Sequence, residues 1–199
     1  MLAGKLGLHH LEMGDALRDR SREDTPFGRM LDEIVNHKGT LVSDEIFGQV
    51  LAEEIQKVPT DKGIILDGAP RTASQLPLVR KAFFENGRLI SGIIYLTLSD
   101  EEAVRRIAKR VMCEKCETVY IMGQDVQSLN EPCIKCGSRL RYRDDDNPEA
   151  VRRRLGIFHG QTLPVIEAFA KEGLVVEING DNGIEEVFAD MLKKLEKLS

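Results

Sequence analysis

Gly63-Ile64-Ile65-Leu66-Asp67-Gly68 is a short apolar run that ends in a carboxylate and a glycine. A run of this kind, without polar alternation, is the pattern of a parallel strand covered on both faces, and the Asp-Gly marks its carboxyl end. Outward from it, Ile93-Ile94-Tyr95-Leu96-Thr97-Leu98 and Leu174 to Ile178 repeat the pattern, and Leu8 to Glu12 is a shorter strand candidate. Helix signals fill the gaps. Met1 to Leu6 reads as the tail of a helix closed by Gly7. Thr25-Pro26 is an N-cap followed by a first-turn proline, predicting a helix to about His37. Ser43 caps a helix with an apolar stripe of Ile46, Phe47, Val50, Leu51 and Ile55. Leu76, Val79, Ala82 and Phe83 share one side of the next helix. Ser99-Asp100-Glu101-Glu102 is a capping box for a helix to about Arg110, Asn147-Pro148 restarts one, and a last amphipathic helix spans about Ile184 to Leu198. Strands alternating with helices predict an α/β fold: a parallel sheet with helices on both faces. Sites in such sheets lie at the strands' carboxyl ends. That rule singles out Glu12-Met13-Gly14-Asp15, Asp67-Gly68-Ala69-Pro70-Arg71 and Asn179-Gly180.

The 199 residues carry a net charge of -5, so no bulk attraction to nucleic acid or to an anionic membrane is expected. No apolar run approaches the roughly 20 residues that span a bilayer. Met1 to His10 lacks the apolar core and cleavage site of a signal peptide, and a cytoplasmic address is expected.

The four cysteines form Cys113-x2-Cys116 and Cys133-x2-Cys136, sixteen residues apart. In a reducing compartment two such knuckles place four thiolates around zinc. A closed four-sulfur site has no open position, so it is structural, and Tyr120-Ile121 predicts a small β element between the pairs. A nucleic-acid-binding zinc ribbon is the competing reading, against which stand the acidic chain and the position of the insert inside an α/β domain. The stretch after Asp67 has two readings as well: a magnesium and phosphate site with Arg71 forking onto the anion, or a solvated loop. Arg106 and Arg110, four apart, are expected on one helix face where the cysteine insert leaves the domain. Arg143 stands where it returns, and Arg152, Arg153 and Arg154 follow on a helix that cannot present all three to one ligand. Such arginines suit phosphoryl transfer, which needs positioning and charge neutralisation, or they form surface ion pairs with Asp144, Asp145 and Asp146. His9, His10, His37 and His159 show no ligand spacing and read as structural or exposed.

With these pieces in order, the chain resembles the adenylate kinases that carry a zinc-bearing lid. Gly14-Asp15-Ala16-Leu17-Arg18 looks like the opening of that family's AMP-binding helical segment, and Gly39-Thr40-Leu41-Val42-Ser43-Asp44 like its turn. Asp67-Gly68-Ala69-Pro70-Arg71-Thr72 with Gln75 is similar to the family's Asp-Gly-Phe-Pro-Arg-Thr signature and its adenine-contacting glutamine. The cysteine knuckles match the lid, and Arg143, Asp145, Asp146 and Arg154 match its hinge. The resemblance implies a P-loop NTPase-like three-layer core over residues 1–12, 58–110 and 143–199. It also implies an AMP-binding insert over 13–57 and a lid over 111–142. It implies ATP + AMP giving two ADP, with magnesium, in a monomer that engages no nucleic acid and no membrane. Arg18, Arg71 and Gln75 would hold AMP, with Met13, Gly14, Thr40, Val42, Gly68, Arg143 and Arg154 around it. Arg106, Arg110, Arg143 and Arg154 would clamp the transferring phosphoryl, with Arg106, Arg110 and Asn182 on the ATP side, and Asp67 would organise the magnesium water shell.

Three departures stand out. Ala69 replaces the signature's Phe, a packing change. Met13 stands where the family often has Thr, which opens the alternative of a kinase for another nucleoside monophosphate. No Gly-x-x-x-x-Gly-Lys-[Ser/Thr] loop occurs in the sequence, although the family cradles the ATP phosphates with one. The expectation is therefore a longer protein read from an internal methionine, with weak or no turnover by these residues alone and a core sheet short of a middle strand. The alternative is a relative that binds nucleotide without transferring phosphate.

Overall fold

The computed structural model describes residues 1–38, 41–142 and 146–196. Helix α1 (Leu2–Leu6) ends at Gly7, which takes the left-handed conformation (φ 67°) that a Cβ would strain. Strand β1 (His9–Glu12) runs directly into α2 (Met13–Ser21). Thr25 caps α3 (Pro26–Asp32) by accepting the Gly28 N–H, and a π-helical turn over Glu33–Lys38 extends it. Ser43 caps α4 (Asp44–Gln56) through the Ile46 N–H. Then follow β2 (Ile64–Asp67), α5 (Gln75–Glu85) and β3 (Ile93–Thr97). Next come α6 (Asp100–Ala108), β4 (Arg110–Cys113), β5 (Val119–Ile121), β6 (Leu140–Tyr142) and α7 (Pro148–Ile157). A π-helical turn over Phe158–Thr162 leads into α8 (Leu163–Lys171), then β7 (Val175–Asn179) and α9 (Ile184–Leu195).

The chain divides into two compact units. The first comprises Met1–Leu96, His159–Ile178 and Asn182–Ser199. Here β1 and β2 pair in parallel, His9 opposite Ile64 and Glu12 opposite Asp67, so both carboxylates stand at the strands' carboxyl ends. A second pair joins β3 and β7. Its strands run the same way, for the Ile93 N–H donates to the Leu174 carbonyl and the Gly180 N–H to the Thr97 carbonyl. The core lies against β1 and β2. Phe47, Val50, Leu51 and Ile55 from α4 meet Val79, Ala82 and Phe83 from α5, with Leu11, Met13 and Ala16 beside them. Fully burying one such aliphatic side chain contributes about 1.5–3 kcal/mol.

The second unit comprises Thr97–Phe158 and Asn179–Asp181. Its β4 is the centre of an antiparallel three-stranded sheet in the order β5-β4-β6, packed around Val111, Tyr120, Val126 and Leu140.

The fold is α/β with parallel strands and covering helices, as the alternation predicts. Two expectations are corrected, and one is met. Two of the strands read as doubly buried are only partly covered: none of Ile64, Ile65, Leu66, Ile93, Ile94 or Tyr95 is fully buried and Leu96 is 50% exposed, whereas Ile178 in β7 is fully buried. The parallel strands form two separate pairs among the described residues, β1 with β2 and β3 with β7, the arrangement expected of a core sheet short of a middle strand, and each pair keeps outer edges. Arg110 is not on the α6 face with Arg106. Pairing with β5 and β6 draws it into the first position of β4, where it faces Ile121.

Candidate functional site

In the first unit the β1 and β2 ends carry a charged cluster. Arg18, one turn into α2, reaches back so that Nη2 meets Asp15 Oδ1 in close contact and Glu12 Oε1 at 3.5 Å. Across the strand pair His10 Nε2 lies 3.1 Å from Asp67 Oδ2, which keeps its carboxylate accessible at 59% exposure. The burial and neighbours of Glu12 perturb it strongly. A hydrogen bond with Asp15, then desolvation, then the charges of Asp15 and Asp67 raise its pKa to about 7, against the pull of Arg18. The same hydrogen bond lowers Asp15, helped by Arg18. Two carboxyls therefore stand together beside a single guanidinium.

The turn after β2 holds Arg71. Its N–H donates to Oε1 of Gln75 at 2.8 Å, and its Nε donates to the Gly68 carbonyl at 2.8 Å. Gln75 is 4% exposed, so this bond fixes which way its carboxamide points. Gly68 has φ +74, and a Cβ there would stand 3.3 Å from Arg71 Nη2. Thr162 Oγ1 donates to the Arg71 carbonyl at 2.9 Å and ties the turn to the segment before α8. Gly14 lies at the start of α2 beneath Glu12 and Arg18. Val42 packs against the apolar cluster, and Met13, 2% exposed, is part of it. Asn182 is exposed after β7. Thr40 and Arg143 lie outside the described residues.

In the second unit Arg106 donates through Nε to Glu102 at 2.7 Å and through Nη2 to the Asp181 carbonyl at 3.3 Å. Ser99 Oγ accepts the Glu102 N–H at 3.2 Å, while the Glu102 carboxylate is taken up by Arg105 and Arg106 instead of turning back to the cap. Arg110 makes a two-pronged pair with Asp146, Nε and Nη2 at 2.7 and 2.6 Å, and Arg154 Nη1 reaches the same carboxylate at 3.3 Å. The Asp146 side chain is only 2% exposed. Arg110 and Arg154 are thus brought together on one buried carboxylate, and Arg106 is held separately by Glu102.

The four cysteine sulfurs all lie within 4.8 Å of one another. Sγ of Cys113 is 3.4 Å from that of Cys136, and Cys116 is 3.5 Å from Cys133. Tetrahedral zinc with Zn–S near 2.3 Å needs sulfurs about 3.8 Å apart, so the donor set fits. Two matching turns build it. The Glu117 N–H bonds the Cys113 carbonyl at φ 54°, and the Gly137 N–H bonds the Cys133 carbonyl at φ 73°. Lys115 and Cys116 N–H groups point at the Cys113 sulfur, and the Tyr120 hydroxyl lies 3.2 Å from that of Cys133. The thiols titrate far apart. Desolvation raises Cys133, but the Tyr120 hydroxyl and the Cys136 and Lys135 N–H groups bring it down to about 6. At Cys136 the Ser138 N–H favours ionisation, yet Cys116 and Cys113 drive it up to about 12. A bound divalent cation relieves that repulsion.

Arginines near the strand ends of a parallel pair, a buried glutamine fixed by the turn, and a small unit whose four close cysteines could hold a metal ion together define an α/β protein with a cysteine-knuckle insert. The adenylate kinase family model matches residues 1–174. The chain is 32% identical over 194 residues to the adenylate kinase of Caldanaerobacter subterraneus subsp. tengcongensis, covering 98% of this chain and 87% of the relative. It is 35% identical to that of Carboxydothermus hydrogenoformans (97% and 90% covered) and 34% identical to that of Archaeoglobus fulgidus (98% and 89%). The chain belongs to the adenylate kinase family.

Two features of the site escaped the sequence reading. His10 is exposed, as the sequence implies, but its contact with Asp67 across the strand pair was not foreseen; the register of β1 on β2 is what brings them together. Glu12 was noticed only as a strand end, and its pairing with Arg18 depends on how α2 starts.

Proposed function

We propose that the chain is a phosphotransferase that interconverts ATP + AMP and two ADP in nucleotide homeostasis. The observation that carries this reading is the Arg71–Gln75 arrangement, an arginine and a buried carboxamide locked together at a strand's carboxyl end. In this reading Arg71 and Arg18 bind the AMP phosphate through charge-assisted hydrogen bonds. Gln75, oriented by the Arg71 N–H, reads the base. Gly14, Gly68, Met13, Thr40 and Val42 line the same pocket, and Arg143 and Arg154 approach its phosphate. Arg106, Arg110, Arg143 and Arg154 neutralise charge on the transferring group, and Asn182 serves the ATP side. A magnesium ion bound with ATP supplies further charge neutralisation, and the exposed Asp67 carboxylate, steadied by His10, offers oxygens to its water shell. Asp146, by holding Arg110 and Arg154 on one carboxylate, keeps two of these arginines in a fixed relation.

Zinc on Cys113, Cys116, Cys133 and Cys136 is structural in this reading, within a lid over 111–142. Residues 13–57 are the AMP-binding segment, and 1–12, 58–110 and 143–199 form the core. The protein acts as a cytoplasmic monomer on small nucleotides, without nucleic acid or membrane. Among the described residues no helix is long and apolar enough to cross a membrane. For residues 1–199 alone, little turnover is expected, because no Gly-x-x-x-x-Gly-Lys-[Ser/Thr] loop occurs among them.

Met13 supports a second reading, a kinase for another monophosphate, because a buried thioether cannot donate a hydrogen bond to a base as a Thr hydroxyl does. Calorimetry with AMP, GMP, CMP, UMP and ATP, beside a coupled ADP-production assay, tests these readings. AMP binding ahead of the other monophosphates supports the first. Binding of AMP without ATP fits the donor half lying outside these residues or a non-catalytic relative. Family-like turnover by residues 1–199 contradicts the expectation about the missing loop.

A further inference from the structure

Resting on the reading of Arg18 as a phosphate ligand, we propose that Glu12 is a specificity-determining residue of that site. Its carboxylate shares the Arg18 guanidinium with that of Asp15 until a phosphomonoester displaces it, so that binding the ligand takes up a proton at Glu12.

The geometry is compact. Glu12 ends β1, and Gly14 opens α2 beneath it. A Cβ on Gly14 would stand 3.0 Å from Glu12 Oε1 and 3.2 Å from Arg18 Nη1, so both side chains fold over the same bare backbone. Glu12 and Arg18 are both partly withdrawn from water, at 36% and 28% exposure, with Oε1 and Nη2 3.5 Å apart. The charged groups facing Glu12 are Asp15 and Arg18 from α2 and Asp67 from β2. His10, on Glu12's own strand, is engaged by Asp67. Two carboxyls therefore contact one guanidinium, and Asp67 adds a third negative charge near Glu12. An incoming phosphate dianion adds two more negative charges at the same place. Protonating Glu12 removes one of the two negative charges held against Arg18 and loosens its contact with Nη2, so binding and protonation favour each other. The free protein is poised for this, since Glu12 already titrates at about 7.

The test uses the 199-residue chain and AMP. A Glu12→Gln variant mimics the protonated form at every pH. If the ionised carboxylate excludes the ligand, wild-type affinity falls about tenfold more than that of Glu12→Gln between about pH 6 and about pH 8. The phosphate's own ionisation near pH 6 acts on both proteins alike, so the ratio of their Kd values is the readout. Calorimetry of the unaltered protein in two buffers of different ionisation enthalpy gives the proton balance independently of any variant. At about pH 7.5, where AMP is almost wholly dianionic, a net uptake of more than half a proton is expected. Parallel pH profiles, or no net uptake, would overturn the proposal. Should Arg18→Ala lose AMP while Glu12→Gln leaves the pH profile unchanged, this inference alone falls. Should the unaltered protein bind no AMP, the reading of the site falls and this inference with it.

Discussion

Replacing Asp146 by Ala removes the carboxylate that holds Arg110 and Arg154. Asp146 is 2% exposed and, among the described residues, accepts three hydrogen bonds, two of them from Arg110 at 2.6–2.7 Å. Breaking a buried pair by deleting one partner costs about 3–5 kcal/mol, because the remaining charge is stranded. Arg110 keeps 23% of its side-chain surface in water, so the lower end applies, about 3 kcal/mol. For a chain of this length that lowers Tm by about 6–12 °C. The assay is differential scanning calorimetry of zinc-loaded protein, with hydrogen exchange of β4 as a local check. Arg110→Met combined with Asp146→Leu removes both charges and should recover most of the loss, since an apolar pair of similar volume costs little there. A Tm shift under about 1 °C for Asp146→Ala, or a double variant no better than the single one, would refute the claim that this pair ties α7 to β4.

Three further outcomes follow from other parts of the structure. Chelating the metal, or Cys113→Ser, should dismantle the β4–β5–β6 sheet, since a four-thiolate site contributes on the order of 10 kcal/mol; retained resistance of residues 111–142 to protease without metal contradicts this. Arg88 donates to the carbonyls of Val58, Pro59, Thr60 and Lys62, so Arg88→Ala should lower stability by about 2–3 kcal/mol in urea, and Arg88→Lys should not restore it because an ammonium cannot fork across four carbonyls. Gly180→Ala brings a Cβ to 2.8 Å from the Thr97 carbonyl oxygen, so it should cost at least about 1 kcal/mol, read as a shifted urea midpoint; an unchanged midpoint would remove the tight β3–β7 closure from the account.

Much of this fold was legible because its signals are local. The caps at Thr25, Ser43, Ser99 and Asn147 each need only an N–H three residues on, and all four side chains accept one. The cysteine spacing likewise dictates its own two turns. What stayed hidden depends on pairing across the chain. Arg110 looks helical by its spacing from Arg106, yet β5 and β6 draw it into a strand. The capping box at Ser99 is half realised because Arg105 and Arg106 compete for the Glu102 carboxylate. The run Ile93 to Leu98 reads as doubly buried, but burial also depends on which strands lie beside it, and among the described residues β3 pairs with β7 alone. Helix α8 (Leu163–Lys171) was not anticipated; it has no side-chain cap, and the π-helical turn over Phe158–Thr162 blurs its start. In the site, Gln75 and Arg71 were named from a motif, whereas the contact of Glu12 with Arg18 emerges only where β1 turns into α2.

Titrating AMP into the 199-residue chain and into its Arg71→Ala variant tests phosphate binding at the β2 strand end most directly. A 1:1 complex that weakens by about thirtyfold in the variant, equivalent to about 2 kcal/mol of charge-assisted hydrogen bonding, is the predicted result. Equal affinity of the two proteins for AMP, or no complex with either, would contradict it.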